Sequence, residues 1–262
     1  MNLKLFQVDA FTDTLFGGNP AAVCPLSEWI EESLMQKIAM ENNLAETAFY
    51  VKKEGVYHIR WFTPTVEVDL CGHATLASAF VIFQEEGLSD GFLNFYSERS
   101  GNLEVSKNQD LLTLNFPSDD LQPLDLTEQL SACFNSNPIH AFKGKTDYVL
   151  VFNTEEEIVN LNPRLDLISN LDARGLIATA RGEQVDFVSR FFAPQSGIPE
   201  DPVTGSAHTS LTPYWAKVLN KNELTAKQLS EREGYLICKH LNDRVEISGK
   251  CRLYLKGTIN IN

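Results

Sequence analysis

Residues Leu3 to Ala10 carry apolar positions at short spacing with Lys4, Gln7 and Asp9 between them, a pattern that predicts a first strand. A turn-forming stretch, Asp13 to Pro20, separates it from a short second strand over Ala21 to Pro25. Ser27 is placed to cap a helix running to about Asn42, because Ile30, Leu34 and Ile38 recur at helical spacing with Met35 and Ala39 beside them. Strands are predicted over Leu44 to Lys52 and Tyr57 to Thr63. The run Ala74 to Phe83 is apolar on nearly every helical face and predicts a helix buried all round. Strands follow near Phe92 to Ser97, Leu103 to Ser106 and Leu111 to Phe116.

The second half repeats the plan. Tyr148 to Asn153, Leu176 to Ala180 and Asp186 to Phe192 read as strands, with a helix or turn region over Asn160 to Asn170. A second buried helix is expected from near Ser206 to about Asn220, kinked by Pro213. Arg244 to Ser248 and Arg252 to Ile261 predict closing strands around the turn Gly249-Lys250. The repeat shows in the residues themselves. Trp61-Phe62-Thr63-Pro64, Glu67 and Gly72-His73-Ala74-Thr75 return as Phe191-Phe192-Ala193-Pro194, Glu200 and Gly205-Ser206-Ala207-His208. The expected division is residues 1–118 and 119–262, with the final strand available to pair back with the first half. Each copy places a strand, a polar loop and small residues before a buried helix. Such helix starts let a ligand approach the backbone, and their free N–H groups and dipole attract an anion. A cleft between the halves is the expected small-molecule site.

Charge narrows the partners. Lys and Arg total 22 against 35 Asp and Glu, a formal net charge of −13. That balance opposes nucleic acid and an anionic membrane surface, but leaves a small acidic substrate open. The five cysteines, Cys24, Cys71, Cys133, Cys238 and Cys251, are odd in number and show no CxxC spacing. Neither a disulfide framework nor a zinc site is expected, and a reducing, cytoplasmic setting is the simplest reading. Gln7 and Asp9 interrupt the N-terminal segment where a signal peptide needs an apolar core, and no stretch is long enough for a membrane-spanning helix.

Val8-Asp9-Ala10-Phe11, Gly18-Asn19-Pro20-Ala21-Ala22-Val23, Glu46-Thr47-Ala48-Phe49, Phe62-Thr63-Pro64 with Leu70-Cys71-Gly72-His73-Ala74-Thr75, Arg190-Phe191-Phe192-Ala193-Pro194 and Glu200 to His208 together resemble the PhzF family. That family is named for an isomerase of phenazine biosynthesis and has a diaminopimelate-epimerase-like fold. The resemblance implies an α/β (α+β) architecture of two similar halves. Each would be a highly curved, mostly antiparallel sheet around a central helix. It further implies a cleft between them, no cofactor, and often a homodimer; no metal site is expected. By the same resemblance Glu46 corresponds to the glutamate that moves a proton, while His73, Asp201 and Ser206 match the family's other polar positions. Ala45 stands where many relatives have Ser, and Glu233-Gly234 follows Arg232 where many have Gly-Gly.

The residues also admit plainer readings. By strand alternation alone Glu46 is a solvent-facing position; in a closed site, desolvation would raise its pKa and suit it to acid/base work. Asp201 starts a turn before Pro202 or contacts substrate, and Glu200 is mainly structural. His73 is either a helix-start residue satisfied by backbone or a group that donates to substrate or relays a proton; His208 is structural. Cys71 lies near the position of one catalytic thiol in epimerases of related fold, but Asp201 to Ser206 contains no second cysteine. A thiol racemase is therefore disfavoured, and Cys71 reads as a small buried residue. Gly17-Gly18-Asn19 is too short for a phosphate loop and lacks its lysine. The expected activity is a cofactor-independent isomerisation of a small carboxylate-bearing metabolite. Glu46 is its acid/base, His73 and Asp201 assist, and Gly72, Gly205 and Ser206 bind the carboxylate. The alternative is a non-catalytic metabolite-binding or scaffold protein.

Overall fold

The computed structural model describes residues 1–88 and 91–261. The chain divides into two compact units, Met1–Asn115 with Ser248–Asn262, and Phe116–Ile247. The break falls after Asn115, and the described residues from Ser248 onward fold with the first unit.

The first unit opens with β1 (Asn2–Ala10), β2 (Asn19–Leu26), α1 (Glu32–Asn42), β3 (Glu46–Lys53), β4 (Val56–Phe62) and β5 (Glu67–Val68). Then come α2 (Gly72–Glu85), β6 (Phe92–Ser97), β7 (Gly101–Asn108) and β8 (Leu111–Pro117). β1 runs antiparallel to β2, β2 parallel to β3, β3 antiparallel to β4, β4 parallel to β6, and β6 antiparallel to β7. Both parallel steps are crossovers that carry a helix, as parallel strands require. α1 begins at Glu32, not at Ser27. Trp29 and Ile30 instead belong to the entering loop and pack on the core formed with Met35, Ile38 and Ala39.

The second unit contains β9 (Gln122–Leu124), α3 (Glu128–Ser131), β10 (His140–Lys143), β11 (Asp147–Val151), α4 (Glu155–Val159) and α5 (Leu165–Ile168). It continues with β12 (Gly175–Arg181), β13 (Phe187–Ala193), β14 (Ile198–Asp201), α6 (Ala207–Leu219), β15 (Glu223–Gln228), β16 (Gly234–Leu241) and β17 (Arg244–Gly249). The pairing order from β10 repeats that of the first unit: antiparallel to β11, then parallel to β12, antiparallel to β13, parallel to β15 and antiparallel to β16. The last strand, β18 (Cys251–Asn260), pairs antiparallel with β1. The result is a mixed α/β protein dominated by curved, mostly antiparallel sheet with few helices.

Side-chain chemistry repeats along with topology. Arg60 donates through Nε and Nη2 to both oxygens of Glu67 at 2.7 and 2.8 Å, and Arg190 grips Glu200 at the same two distances. Each guanidinium also lies over the phenylalanine two residues on, Phe62 or Phe192. Fork-to-fork pairing of this kind fixes geometry as well as charge. Glu200 is thus structural. Both glutamates stand five residues before a glycine, Gly72 or Gly205, so the two loops match without a gap. At the helix starts, Thr75 bonds back to the Cys71 carbonyl at 2.6 Å, and His208 Nδ1 meets the Thr204 carbonyl at 2.9 Å.

α2 is buried on nearly every side, as its composition predicts. α6 runs through Pro213 as one helix and ends on Asn220 in the left-handed conformation. β3 is covered on both faces. Phe49 and Val51 pack toward α1, which turns the alternate positions Glu46, Ala48 and Tyr50 toward the α2 side. All three are buried.

Candidate active site

Glu46 is the first residue of β3 and is 9% exposed. The solvent-facing reading fails because the strand has no solvent face at that point. Its Oε2 lies 3.2 Å from Nε2 of His73, the second residue of α2. His73 Nδ1 faces Asn19 Nδ2 at 3.2 Å and Cys71 Sγ at 3.5 Å. Asn19, Cys71 and His73 are all buried. Burial pushes the His73 pKa down to about 3, so the ring is a neutral imidazole at pH 7.

A neutral imidazole holds one proton. The Asn19 amide can donate to a bare Nδ1, which leaves the ring proton on Nε2, in contact with Glu46 at 3.2 Å but off the line of a hydrogen bond. Glu46, Cys71 and His73 offer atoms within 4.8 Å of one another, a ligand-type trio. Yet Cys71 and Glu46 meet opposite nitrogens of the ring, so these contacts do not converge on one lone pair as a single ion would require.

Backbone geometry sets Asn19 in place. Gly18 has φ +64, and a Cβ there would sit 2.1 Å from the Ala10 carbonyl oxygen. Neither problem has a side-chain remedy. Gly18→Ala is expected to cost about 1–3 kcal/mol, read by chemical denaturation, and to displace Asn19 from His73. Wild-type stability in that variant would show that the turn tolerates a side chain.

In the second unit Asp201 ends β14 and is buried. Its Oδ2 accepts from the Thr204 hydroxyl, and its carbonyl accepts from Gln228 Nε2 at 2.8 Å. Gln228 is fully buried and also accepts from the Thr204 N–H at 2.8 Å, tying β14 to the approach of α6. Gly205 and Ser206 form the turn just before α6. Ser206 Oγ accepts from Arg174 Nη1 at 2.9 Å. Arg174 is clamped through Nε and Nη2 to Asp147 and lies 5.2 Å from the Phe191 ring centre. Register identifies the second-unit counterpart of Glu46. Thr47 pairs with Phe62 as Leu176 pairs with Phe192, so Glu46 corresponds to Gly175. A Cβ at Gly175 would lie 2.4 Å from the Phe191 ring, which leaves no room for a carboxylate. Likewise Thr204 stands where the first unit has Cys71.

The sequence reading missed Asn19, Arg174 and Gln228 as site residues. Gly18-Asn19-Pro20 was legible as a turn, but the reach of its amide to His73 depends on the β1–β2 register. Gln228 sits on a strand that was not predicted.

A duplicated α/β fold with a buried helix in each copy defines the fold class. The fold is shared with a predicted epimerase of Pseudomonas aeruginosa (TM-score 0.76, 16% identity, covering 99% of this chain and 100% of that one). Within the class the chain belongs to the PhzF family. Residues 8–257 match the PhzC-PhzF model, described as phenazine biosynthesis-like protein. An uncharacterized isomerase of P. aeruginosa is 47% identical over 261 residues, with 100% of both chains covered. The crystal structure of a PhzF-family protein from Enterococcus faecalis is 44% identical with a TM-score of 0.97, covering 100% of each chain.

Proposed function

We propose that the protein is an isomerase that moves a proton within a small carboxylate-bearing metabolite, with Glu46 as the acid/base. The observation that carries this reading is a buried glutamate held 3.2 Å from a neutral imidazole. In the proposed step the Glu46 carboxylate takes a proton from a substrate carbon, and the electron pair moves into the adjoining π system of the substrate. The Glu46 carboxylic acid then returns that proton to a different carbon. Atoms and charge balance within the substrate and one side chain. Exclusion of water lets the same proton return before it exchanges. His73, in contact with the carboxylate, assists the transfer. Asp201, Gly205 and Ser206 are proposed as substrate contacts. Arg174, paired with Asp147, donates to Ser206 and orients its hydroxyl. The relatives' name of isomerase supports the reaction class.

The test begins with a thermal-shift screen of small cyclic and amino-acid-like carboxylates, since a ligand of the native state raises its stability by mass action. Each binder is then followed by NMR in deuterated water. The expected result is a positional isomer formed in the presence of a chelator and without added nicotinamide, flavin or pyridoxal phosphate. A binder released unchanged across the panel would favour a metabolite-binding protein. Activity lost on alkylating Cys71, with the fold intact, would instead support thiol chemistry.

A further inference from the structure

We infer that Gln228 is a positioning residue for Asp201: its side-chain amide directs the Thr204 hydroxyl proton onto Asp201 Oδ2 and so holds that carboxyl group in one orientation, with Oδ2 as an acceptor. The inference rests on the reading of Asp201 as a substrate contact and adds to it the residue that sets its side chain.

The direction of every bond follows from two backbone groups. Gln228 is the last residue of β15 and is fully buried. Its Oε1 accepts from the Thr204 N–H at 2.8 Å, and its Nε2 donates to the Asp201 carbonyl at 2.8 Å. A backbone N–H only donates and a backbone carbonyl only accepts, so the amide cannot be turned over without setting like against like at both ends. The second Nε2 proton then falls to Thr204 Oγ1, 3.1 Å away. The same oxygen meets Asp201 Oδ2. Thr204 is buried, and Gln228 Nε2 cannot accept, so among the described residues the acceptor that its hydroxyl proton meets is Asp201 Oδ2. Were the Asp201 carboxyl to donate instead, the Thr204 proton would be buried without a partner, which is costly. Oδ2 is therefore an acceptor whether or not Asp201 carries a proton.

The matching position of the first unit is used differently. Counted from Phe62 and Phe192, Gln228 corresponds to Ser97, and each ends the strand that runs parallel to β13 or β4. The Ser97 hydroxyl accepts from the Arg99 N–H at 3.3 Å, within its own turn. Gln228 instead spans the loop from Asp201 to Thr204. Two residues on, Ser230 donates to the Pro202 carbonyl at 2.8 Å and grips that loop at a further point.

The experiment is NMR on the protein without ligand. It follows the Thr204 hydroxyl proton, its coupling across the hydrogen bond to the Asp201 13Cγ, and the two Gln228 side-chain amide protons. Wild type is expected to show a slowly exchanging hydroxyl proton coupled to Asp201. Thr204→Val keeps the shape of threonine without the hydroxyl. It is expected to move one Gln228 amide proton and leave the one on the Asp201 carbonyl in place. Thr204→Ser keeps the hydroxyl and is expected to retain both signatures. Gln228→Met keeps the length without the amide and is expected to lose the slow hydroxyl exchange and the coupling. A folded Gln228→Met with the wild-type coupling overturns the inference. So does a Thr204→Val protein whose Gln228 amide is unmoved, and this readout stands even where Gln228→Met does not fold. The spectra need no substrate, so they separate two failures. The expected spectra with full turnover by Asp201→Asn would remove Asp201 as a substrate contact and leave its positioning standing. Unmoved spectra with turnover lost in Asp201→Asn would remove the positioning alone.

Discussion

Glu46→Gln is expected to turn over the true substrate about a hundredfold to ten-thousandfold more slowly than wild type, the usual loss when a general base is removed. Gln keeps the length and planarity of the side chain and can still lie against His73 through its amide oxygen. It cannot take a proton from carbon. The fold should hold, because the contact at 3.2 Å survives in neutral form and the backbone pairing of Glu46 with Ala21 is untouched. Binding should persist, since the proposed substrate contacts Asp201, Gly205 and Ser206 are unchanged. The measurement follows binding and turnover separately in deuterated water. Wild-type turnover would remove Glu46 from the mechanism. If binding and turnover vanished together, Glu46→Asp would separate placement from chemistry, because it retains the acid and shortens its reach.

The same residue shows how far the sequence carries. A strand at Glu46 was legible, but its direction was not. Alternation assigns a face, and only tertiary packing decides whether that face meets water. Here α1 covers one side of β3 and the other turns toward α2, so a position that alternation alone would expose is buried. Both buried helices were legible because small and apolar residues continue around every face. β15 and β16 were not. On β16 the outward residues Tyr235 and Ile237 are apolar and 43% and 38% exposed, which erases the apolar-in, polar-out alternation. α4 did carry a signal that went unread. Thr154 and Glu157 form a reciprocal capping box at its start. The duplication was visible in letters, but its physical content, two matched Arg–Glu clamps, depends on β4 and β13 each pairing with the short strand that follows.

The duplicated frame carries Glu46 in one copy and glycine in the other. The copies differ at matched positions of a shared frame. Glu46 became Gly175 under the Phe191 ring, Cys71 became Thr204 bonded to Asp201, and His73 became Ser206 beside Arg174. The frame itself, the clamps and the back-bonded helix starts, stays the same in both. Thr75 and His208 are the one frame pair in which a neutral hydroxyl corresponds to a titratable ring, and that difference has a consequence for stability.

Acidification from pH 7 to 5 is expected to cost the wild-type protein about 2 kcal/mol through His208 alone. The ring is fully buried, 5.8 Å from the Phe187 ring, with Nδ1–H donating to the Thr204 carbonyl at 2.9 Å. Nε2 has no hydrogen-bond partner among the described residues. Protonating it would place a charge and an unmet N–H in an apolar setting. Burial accordingly pushes the pKa down from 6.5 to about 4, against a smaller upward pull from the Thr204 carbonyl. Below pH 6.5 the unfolded chain therefore binds a proton that the native ring refuses, so stability is complete above 6.5 and declines as pH falls toward 4, by about 3 kcal/mol in all. His208→Asn isolates the effect. Its amide can donate to the same carbonyl but does not titrate, although it gives up the ring's packing and starts less stable at pH 7. Urea denaturation of both proteins at pH 7, 6 and 5 should find their stability difference shrinking by about 2 kcal/mol, while the other histidines cancel in the comparison. Parallel declines in the two proteins would show that His208 binds its proton as readily in the native state as in the unfolded one, and that its burial does not set the acid limb of stability.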